Sequence, residues 1–411
     1  MYLALAVAGC RGPAGSKPDA SPPLAPSSAG VEVAFDAAPS RAPSPCRVDP
    51  PGGVVVSTRP SSRDVRVAAA GRHALVTWLE APRAEGRGFR SVARLYDGDA
   101  HSLAKERILD DPEYGDEVAS GAVPFALPDA LVAVSCRNAA SEGSYGCVKA
   151  PFDSAAEPTA KNLFYFKFGN FGPQEPGIAG VALGTDLAIF VPEGGAGDVA
   201  LFTTRVRPTK RTFTFVASVN VAPHAEGLVA VATGDDEATV VYRLAGAIRA
   251  RRGGLDEAWH GKTVVLSEPG TLVGAPAVAA IDGRLVALHA SRKTASDIWK
   301  LTRAEWKGDA VTRGELATGS GQAQAPALVA AQKAGCLLVS WVDGRGTETL
   351  TKVGRMCDGH LDPATVGSLS QAGIEGGRAA LGRSAEAVFA VWQELPKGHP
   401  AELRIGRLSC E

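Results

Sequence analysis

The chain has 411 residues, with 43 basic and 44 acidic side chains, so its formal net charge at pH 7 is −1. This balance gives no electrostatic argument for nucleic-acid binding, which normally requires a basic face, and we predict no nucleic-acid partner. Beyond the N-terminal run, no stretch approaches the roughly 20 apolar residues of a membrane-spanning helix. The 47 Gly and 28 Pro are typical of a chain built mainly from strands and turns.

The N-terminus carries an export signal. Residues 1–8 are apolar, and Gly9 and Cys10 follow. The segment Val7-Ala8-Gly9-Cys10 resembles a bacterial lipobox, in which cleavage before the Cys leaves a thiol that is lipidated. That resemblance implies a lipoprotein signal peptide over 1–9, a lipid on Cys10 and a place in the cell envelope. No Lys or Arg precedes the run, so we expect the natural start codon to lie upstream. Arg11 stands where some lipoproteins carry an inner-membrane retention Asp, which favours the outer membrane.

The next segment is predicted to be a disordered tether. Residues 10–45 are rich in Pro, Ala, Ser and Gly. Such a composition buries too little apolar surface to fold, so it links the anchor flexibly to a folded domain over 46–411.

The cysteines indicate an oxidising compartment. Setting Cys10 aside leaves six of the seven, an even number. Their positions predict three disulfides: Cys46–Cys410, Cys136–Cys147 and Cys336–Cys357. Cys46 and Cys410 lie at the two ends of the folded region, so their bridge would hold those ends together. Six unpaired buried thiols, as in a cytosolic protein, are the alternative.

A motif that returns about every fifty residues predicts the fold. Each copy has a turn, then a run of Val, Leu and Ala, then an aromatic or polar residue. The runs are 75–78, 131–135, 187–190, 239–242, 285–289, 338–341 and 389–392. A period of this size, made of short strands, is typical of an all-β fold of the β-propeller type. We predict seven four-stranded blades; six or eight are alternatives, because the region 150–270 is less regular.

The blade over 275–318 shows the parts of the repeat. Residues 275–280 form an inner strand, Asp282-Gly283 a tight turn, 285–289 a second strand, and two further strands follow. The C-terminal copy starts near Gly376 and has only three strands. We expect 53–57 from the N-terminal end to supply the missing outer strand and close the ring. The segment 281–302 resembles blades of TolB-type periplasmic propellers, and this resemblance implies a shared fold without transferring a function.

Three repeats end in Trp, any residue, and an acid. They are Trp78-Leu79-Glu80, Trp341-Val342-Asp343 and Trp392-Gln393-Glu394, and Arg345 follows the second. The second strand of a blade runs to the face that usually carries ligands. These residues are therefore candidate binding residues on a sugar-binding or catalytic rim. The alternative is structural: the Trp packs between blades and the acid caps a turn.

The favoured function is a lipid-anchored, non-catalytic binding or scaffold module for a protein or glycan partner. The alternative is an exported glycan-cleaving hydrolase, in which Glu80, Asp343 and Glu394 would supply the paired carboxylates. That alternative predicts an acidic, aromatic-lined funnel and a carboxyl group with a raised pKa. No nucleotide-binding or metalloprotease motif occurs, and no His is spaced as a metal ligand, so we predict no cofactor and no metal. The aromatic stretch 161–171 is either a partner surface or one face of an outer strand.

Overall fold

A computed structural model describes residues 43–59, 64–80, 89–110, 117–128, 130–139, 144–152, 166–168, 178–193, 200–208, 213–223, 226–254, 262–319 and 322–410. The predicted signal peptide, Cys10 and most of the predicted tether lie outside these residues, as does most of 161–171. Residues 43–411 form one compact unit. No helix among the described residues is long and apolar enough to cross a membrane.

The described strands pair into seven antiparallel sheets. The first strand, β1 (Arg47–Ser57), belongs to the last sheet. Sheet 1 contains β2 (Arg66–Ala70), β3 (His73–Glu80), β4 (Arg90–Tyr96) and β5 (Arg107–Asp110). Sheet 2 contains β6 (Glu117–Leu127), β7 (Ala130–Ala139), β8 (Ser144–Phe152) and β9 (Phe166–Phe168). Sheet 3 contains β10 (Ala179–Leu183), β11 (Asp186–Glu193), β12 (Ala200–Pro208) and β13 (Phe213–Pro223).

Sheet 4 contains β14 (Glu226–Ala232), β15 (Glu237–Leu244), β16 (Ala247–Gly254) and β17 (Val264–Val265). Sheet 5 contains β18 (Leu272–Ile281), β19 (Arg284–Arg292), β20 (Lys300–Lys307) and β21 (Ala310–Glu315). Sheet 6 contains β22 (Ala323–Ala330), β23 (Cys336–Asp343), β24 (Leu350–Cys357), β25 (His360–Leu361) and β26 (Gly367–Ser368), with 3-10 turns at Gly346–Glu348 and Pro363–Thr365. Sheet 7 contains β27 (Glu375–Arg383), β28 (Val388–Leu395), β29 (Glu402–Ser409) and β1.

The sheets are arranged in a closed ring. The first strands contact one another in the order β2, β6, β10, β14, β18, β22, β27, and β27 contacts β2 again. Within each sheet the strands follow in chain order outward from this inner ring, apart from the closing strand β1. This arrangement is a β-propeller and confirms the predicted fold class.

The repeated apolar run is the second strand of each sheet. Along β28, Phe389 and Val391 pack against sheet 1, whereas Ala390 and Trp392 pack against sheet 6. Both faces are therefore buried, which is why the run is continuously apolar rather than alternating. The outer strand β21 is mostly exposed and polar by contrast. Between β18 and β19, Asp282 and Gly283 both have positive φ, as a two-residue hairpin requires.

The ring closes as predicted, through the N-terminal strand. β1 pairs with β29, and Val54 lies opposite Ile405. Cys46 and Cys410 form a disulfide across 364 positions of sequence, and the Cys46 N–H donates to the Thr365 carbonyl at 2.8 Å. The two chain ends of the propeller are thus joined by the β1–β29 strand pairing and by a disulfide. The backbone hydrogen bond to Thr365 also ties Cys46 to sheet 6.

The other two predicted cysteine pairs lie on neighbouring strands. Cys336 and Cys357 are opposite each other on β23 and β24 and are bonded. Cys136 is disulfide-bonded, and Cys147 is its cross-strand neighbour in the register of β7 and β8. Because disulfides persist in oxidising compartments, they indicate an extracellular or periplasmic location.

Candidate functional site

One face of the ring gathers the starts of the first strands and the ends of the second strands. The register shows this directly, since Leu272 pairs with Arg292, Ala323 with Asp343 and Glu375 with Leu395. We call this edge the upper face. Asp343 and Glu394 from the predicted rim both lie on it.

The inner strands bulge just below the upper face. The pairing register shifts between Val273 and Pro276 in β18, between Gln324 and Ala327 in β22, and between Gly376 and Ala379 in β27. Pro lacks a backbone N–H, so Pro276 and Pro326 fit positions where the ladder is interrupted. The bulges leave space that neighbouring strands do not fill.

That space includes a cavity of about 590 Å³ between sheets 5, 6 and 7 on the upper face. We call it the upper cavity. Its lining includes several Gly and Ala residues, the apolar side chains of Trp299, Val342 and Leu395, and the polar side chains of Gln324, Glu375, Arg378 and Gln393. A volume of this size falls in the range of ligand-binding pockets.

A second cavity of about 190 Å³ lies below it in the central channel, and we call it the throat. It is lined by two consecutive residues from each of four first strands or their approaches: Asp64-Val65, Ala275-Pro276, Ala325-Pro326 and Arg378-Ala379. The upper cavity and the throat share Ala275, Ala325 and Arg378. These three residues therefore mark the junction between the two spaces.

The strand registers show that the throat residues occupy one repeated position. Pro276 pairs with His289 and Ala379 with Trp392, the last residues of two repeat runs. In every sheet, we compare the residue that immediately precedes the one opposite the end of the repeat run. This residue is Asp64 in sheet 1, Gly121 in sheet 2, Ile178 in sheet 3, Gly227 in sheet 4, Ala275 in sheet 5, Ala325 in sheet 6 and Arg378 in sheet 7. Only Asp64 and Arg378 in this set carry a charge, and they come from adjacent sheets.

Arg378 is exposed to solvent in the cavities. It has no ion-pair or hydrogen-bond partner in the part of the chain that the structure describes. Its guanidinium is therefore available to a ligand, and a guanidinium binds carboxylate with two parallel hydrogen bonds.

Asp64 is paired with Arg66 and lies against the backbone at Ala122. Arg66 Nε donates to Asp64 Oδ1 at 2.7 Å, while Oδ2 is buried and makes no hydrogen bond of ordinary geometry. Burial raises the pKa of the Asp64 carboxyl above its usual value, although the charge and hydrogen bond of Arg66 and the backbone N–H of Ala122 oppose the rise.

Trp299 supplies the aromatic wall of the upper cavity. It is half-buried, and the Arg292 guanidinium lies 4.3 Å from its ring centroid. The Trp299 carbonyl accepts the Ala323 N–H at 2.9 Å, which fixes the loop before β20 against the start of β22. The Trp299 side chain is thus stacked against Arg292, and its backbone is hydrogen-bonded to the start of β22.

The three predicted Trp residues are buried between sheets rather than exposed on a rim. Trp78 and Trp392 have no exposed surface, and Trp341 is 1 % exposed. The Trp78 Nε1 donates to Glu80 at 3.3 Å, and the Trp392 Nε1 donates to Glu394 at 3.1 Å. Trp341 Nε1 has no partner, since Asp343 is one methylene shorter than Glu.

Glu80 and Glu394 are also held by other groups. Glu80 accepts hydrogen bonds from Ser57 at 2.9 Å and from Arg90 Nε at 2.8 Å. Burial alone would raise the pKa of Glu80, but hydrogen bonds from Arg90 and Ser57 and the Arg90 charge hold it below its usual value. Glu394 accepts the Gln371 N–H at 3.0 Å and lies 2.8 Å from Arg404 Nε.

Of the predicted rim residues, Asp343 and Arg345 remain accessible. Asp343 is partly exposed, and Arg345 is exposed and donates to Gln322 at 2.6 Å. Glu80 also lines a separate polar space of about 500 Å³ with Ser57, Arg59, Arg90 and Glu106. The seven predicted residues therefore do not meet in one site.

Sequence reasoning missed Asp64, Trp299, Glu375 and Arg378. The available signal was a break in the repeat, because Arg378-Ala379 stands where the two preceding copies have Ala-Pro. That signal becomes readable only when the strand registers align the copies.

No protein-family model matches the chain, and no curated protein matches it. Solved structures share its architecture. The polysaccharide lyase Uly1 is 8 % identical with a TM-score of 0.53, over 85 % of this chain and 90 % of the lyase. The β-propeller domain of the Trilobed protease from Pyrococcus furiosus is 10 % identical with a TM-score of 0.46, over 84 % of this chain and 93 % of that domain.

A prolyl endopeptidase structure is 13 % identical with a TM-score of 0.49, over 83 % of this chain. This chain spans 46 % of that endopeptidase. At such identities a likeness concerns the fold alone and transfers no function.

Proposed function

We propose that the protein is an exported, lipid-anchored propeller that binds a polar protein or glycan ligand of the cell envelope in its upper cavity without transforming it. The carrying observation is the upper cavity, about 590 Å³ in volume, with the unpartnered Arg378 at its base. A rigid ring on a flexible tether can search the space near a membrane for such a ligand.

We further infer that each of the seven sheets is one blade.

Two observations support binding rather than catalysis. Glu80 and Glu394 are both committed to Arg and Trp partners, and the lowered pKa of Glu80 keeps it ionised at neutral pH, so it is unsuited as a general acid. Among the described residues that line the upper cavity, Glu375 is the one carboxylate. Hydrolysis of a glycosidic bond usually requires two.

The anchor and location complete the proposal. We infer that Cys10 carries the lipid and that residues 10–45 form the tether. Labelling of cells with an alkyne-bearing fatty acid should modify the wild-type chain and leave Cys10→Ala unmodified. Equal labelling of both chains would contradict the anchor.

Site-specific photo-crosslinking tests the binding function. A photoreactive side chain is placed at Leu395, which lines the upper cavity and is 41 % exposed, in the full-length chain in its own envelope. The matched control is Ile108 on the outer strand β5, which is 40 % exposed. We expect a discrete adduct from position 395 that Arg378→Gln weakens, and none from position 108. Absence of an adduct at 395, or equal adducts at both positions, would contradict the proposal.

A glycan-cleaving hydrolase is the second candidate. The raised pKa of Asp64 favours it, since a general acid must be protonated near the working pH. In this alternative Asp64 would donate the proton and Glu375 would act as base or nucleophile. Release of reducing ends from envelope polysaccharide, lost in both Asp64→Asn and Glu375→Gln, would favour this candidate over the binding module.

A further inference from the structure

We infer that the ligand is an acidic saccharide whose carboxylate pairs with Arg378 at the junction of the upper cavity and the throat. This inference rests on the proposed binding function and names the chemistry of its ligand.

The first step is the break in the repeated throat position. Five of its seven members are Gly, Ala or Ile, whereas the adjacent sheets 7 and 1 place Arg378 and Asp64 there. Closure of the ring needs neither charge, because uncharged residues serve the same position elsewhere. Asp64 is already paired with Arg66, so Arg378 contributes the uncompensated positive charge at this level.

The second step is the order of the charged side chains along β27. Glu375 is the first residue of this strand and lies opposite Leu395 at the outer end of the upper cavity. Arg378 follows three residues later, at the junction with the throat. A ligand carboxylate is therefore favoured at the inner end, and neutral hydrogen-bond donors are favoured at the outer end near Glu375.

The third step is the chemistry of the walls. Trp299 presents an aromatic surface, and the amide side chain of Gln324 lines the same cavity. An aromatic ring packs against the C–H face of a sugar, while amides and carboxylates bind its hydroxyl groups. The small lining residues Gly274 and Ala275 let a flat ring approach the backbone.

The test is calorimetric titration of the full-length chain with three probes at low salt. The first is a tetramer of galacturonic acid, the second is its carboxyl-reduced neutral counterpart, and the third is tetra-alanine with a free carboxyl terminus. We expect the acidic tetramer to bind at least tenfold more tightly than the neutral one, with a difference that shrinks as salt is added.

Variants test whether Arg378 causes the preference for the acidic tetramer. Arg378→Gln should abolish the preference for the acidic tetramer, and Arg378→Lys should retain part of it, because Lys keeps the charge and loses the planar fork. The matched control is Arg383→Gln, an exposed arginine at the other end of the same strand, which should behave as wild type. Thermal unfolding of each variant verifies that the ring is intact.

The remaining outcomes separate the two proposals. Equal binding of both tetramers, unchanged in Arg378→Gln, would overturn the carboxylate assignment and leave the binding function standing. Tighter binding of tetra-alanine would overturn the saccharide assignment in favour of a peptide terminus. Failure of all three probes would overturn the acidic-saccharide inference, and the photo-crosslinking at Leu395 would then decide the binding function independently.

Discussion

The indole N–H of Trp392 donates a hydrogen bond to the Glu394 carboxylate at 3.1 Å, and neither residue has exposed surface. The same relationship joins Trp78 and Glu80, two residues apart on β3 of the next sheet around the ring. In both sheets an arginine from the following strand completes the site. The Trp-x-Glu motif therefore has a structural role, since it fixes the end of the second strand to the neighbouring strand. Of the residues predicted to form a sugar-binding rim, Asp343 and Arg345 remain accessible.

The ion pair between Glu80 and Arg90 is buried, with side-chain exposures of 5 % and 4 %. Replacing Glu80 by Gln leaves the Arg90 charge without its partner, so the free energy of unfolding should fall by about 3 to 5 kcal/mol. Urea unfolding at neutral pH measures this. Glu106→Gln is the control, because Glu106 is a third exposed and should cost under about 1 kcal/mol. Equal losses would contradict the assignment.

The same carboxyl makes stability depend on pH. Because the folded protein holds the pKa of Glu80 below its ordinary value of 4.5, this contribution is complete above 4.5 and is lost as pH falls through the folded pKa. Glu80→Gln should therefore lose less stability than wild type on acidification. An unchanged acid slope in the variant would be evidence against this role.

His289 predicts a second acid effect. It is fully buried, and neither ring nitrogen has a hydrogen-bond partner among the residues that the structure describes. Burial, and to a lesser degree the charge of Arg313, lowers the pKa of His289 from 6.5 to about 4. The unfolded chain then binds more protons between these values, so stability falls by about 3 kcal/mol as pH drops from 6.5 to 4. His289→Phe should flatten this part of the curve, whereas His360→Gln, at an exposed site, should retain it.

Closure of the ring depends on the bridge between Cys46 and Cys410. Replacing both by Ser should lower the free energy of unfolding by about 2 to 5 kcal/mol, because the disulfide restricts a very long loop in the unfolded chain. The bridge between Cys336 and Cys357 spans 21 positions, and its double Ser variant should lose less. Chemical denaturation of the two variants compares them. The reverse order would contradict the larger contribution of the closing bridge.

Gly53 allows β1 to pass the Trp392 ring. It has a φ of +66°, and a methyl group there would overlap the Trp392 ring and approach the Ile405 carbonyl. Gly53→Ala should lower the free energy of unfolding by more than the roughly 1 to 2 kcal/mol expected for the backbone conformation alone. Gly398→Ala is the matched control, since Gly398 has a φ of +77° and open space around it. Similar melting temperatures for the two variants would contradict the close approach.

The sequence by itself determined the all-β propeller class and the closing strand. Second strands are buried on both faces, so each must be apolar throughout, and seven such runs at a regular period can be read directly. It also predicted the pairing of Cys46 with Cys410 and of Cys336 with Cys357, because ring closure and the hairpin place each pair together.

Only the tertiary structure decided which residues form a site. The Trp-x-acid motif is visible in the sequence, but its Glu side chains can turn to solvent or to an arginine, and the strand registers place Arg90 and Arg404 within reach. Asp64 and Arg378 lie at opposite ends of the repeat region and meet in one throat because the last sheet packs against the first. Local patterns determine strands, since burial acts on neighbouring positions, whereas a cavity depends on which distant strands the closed ring brings together.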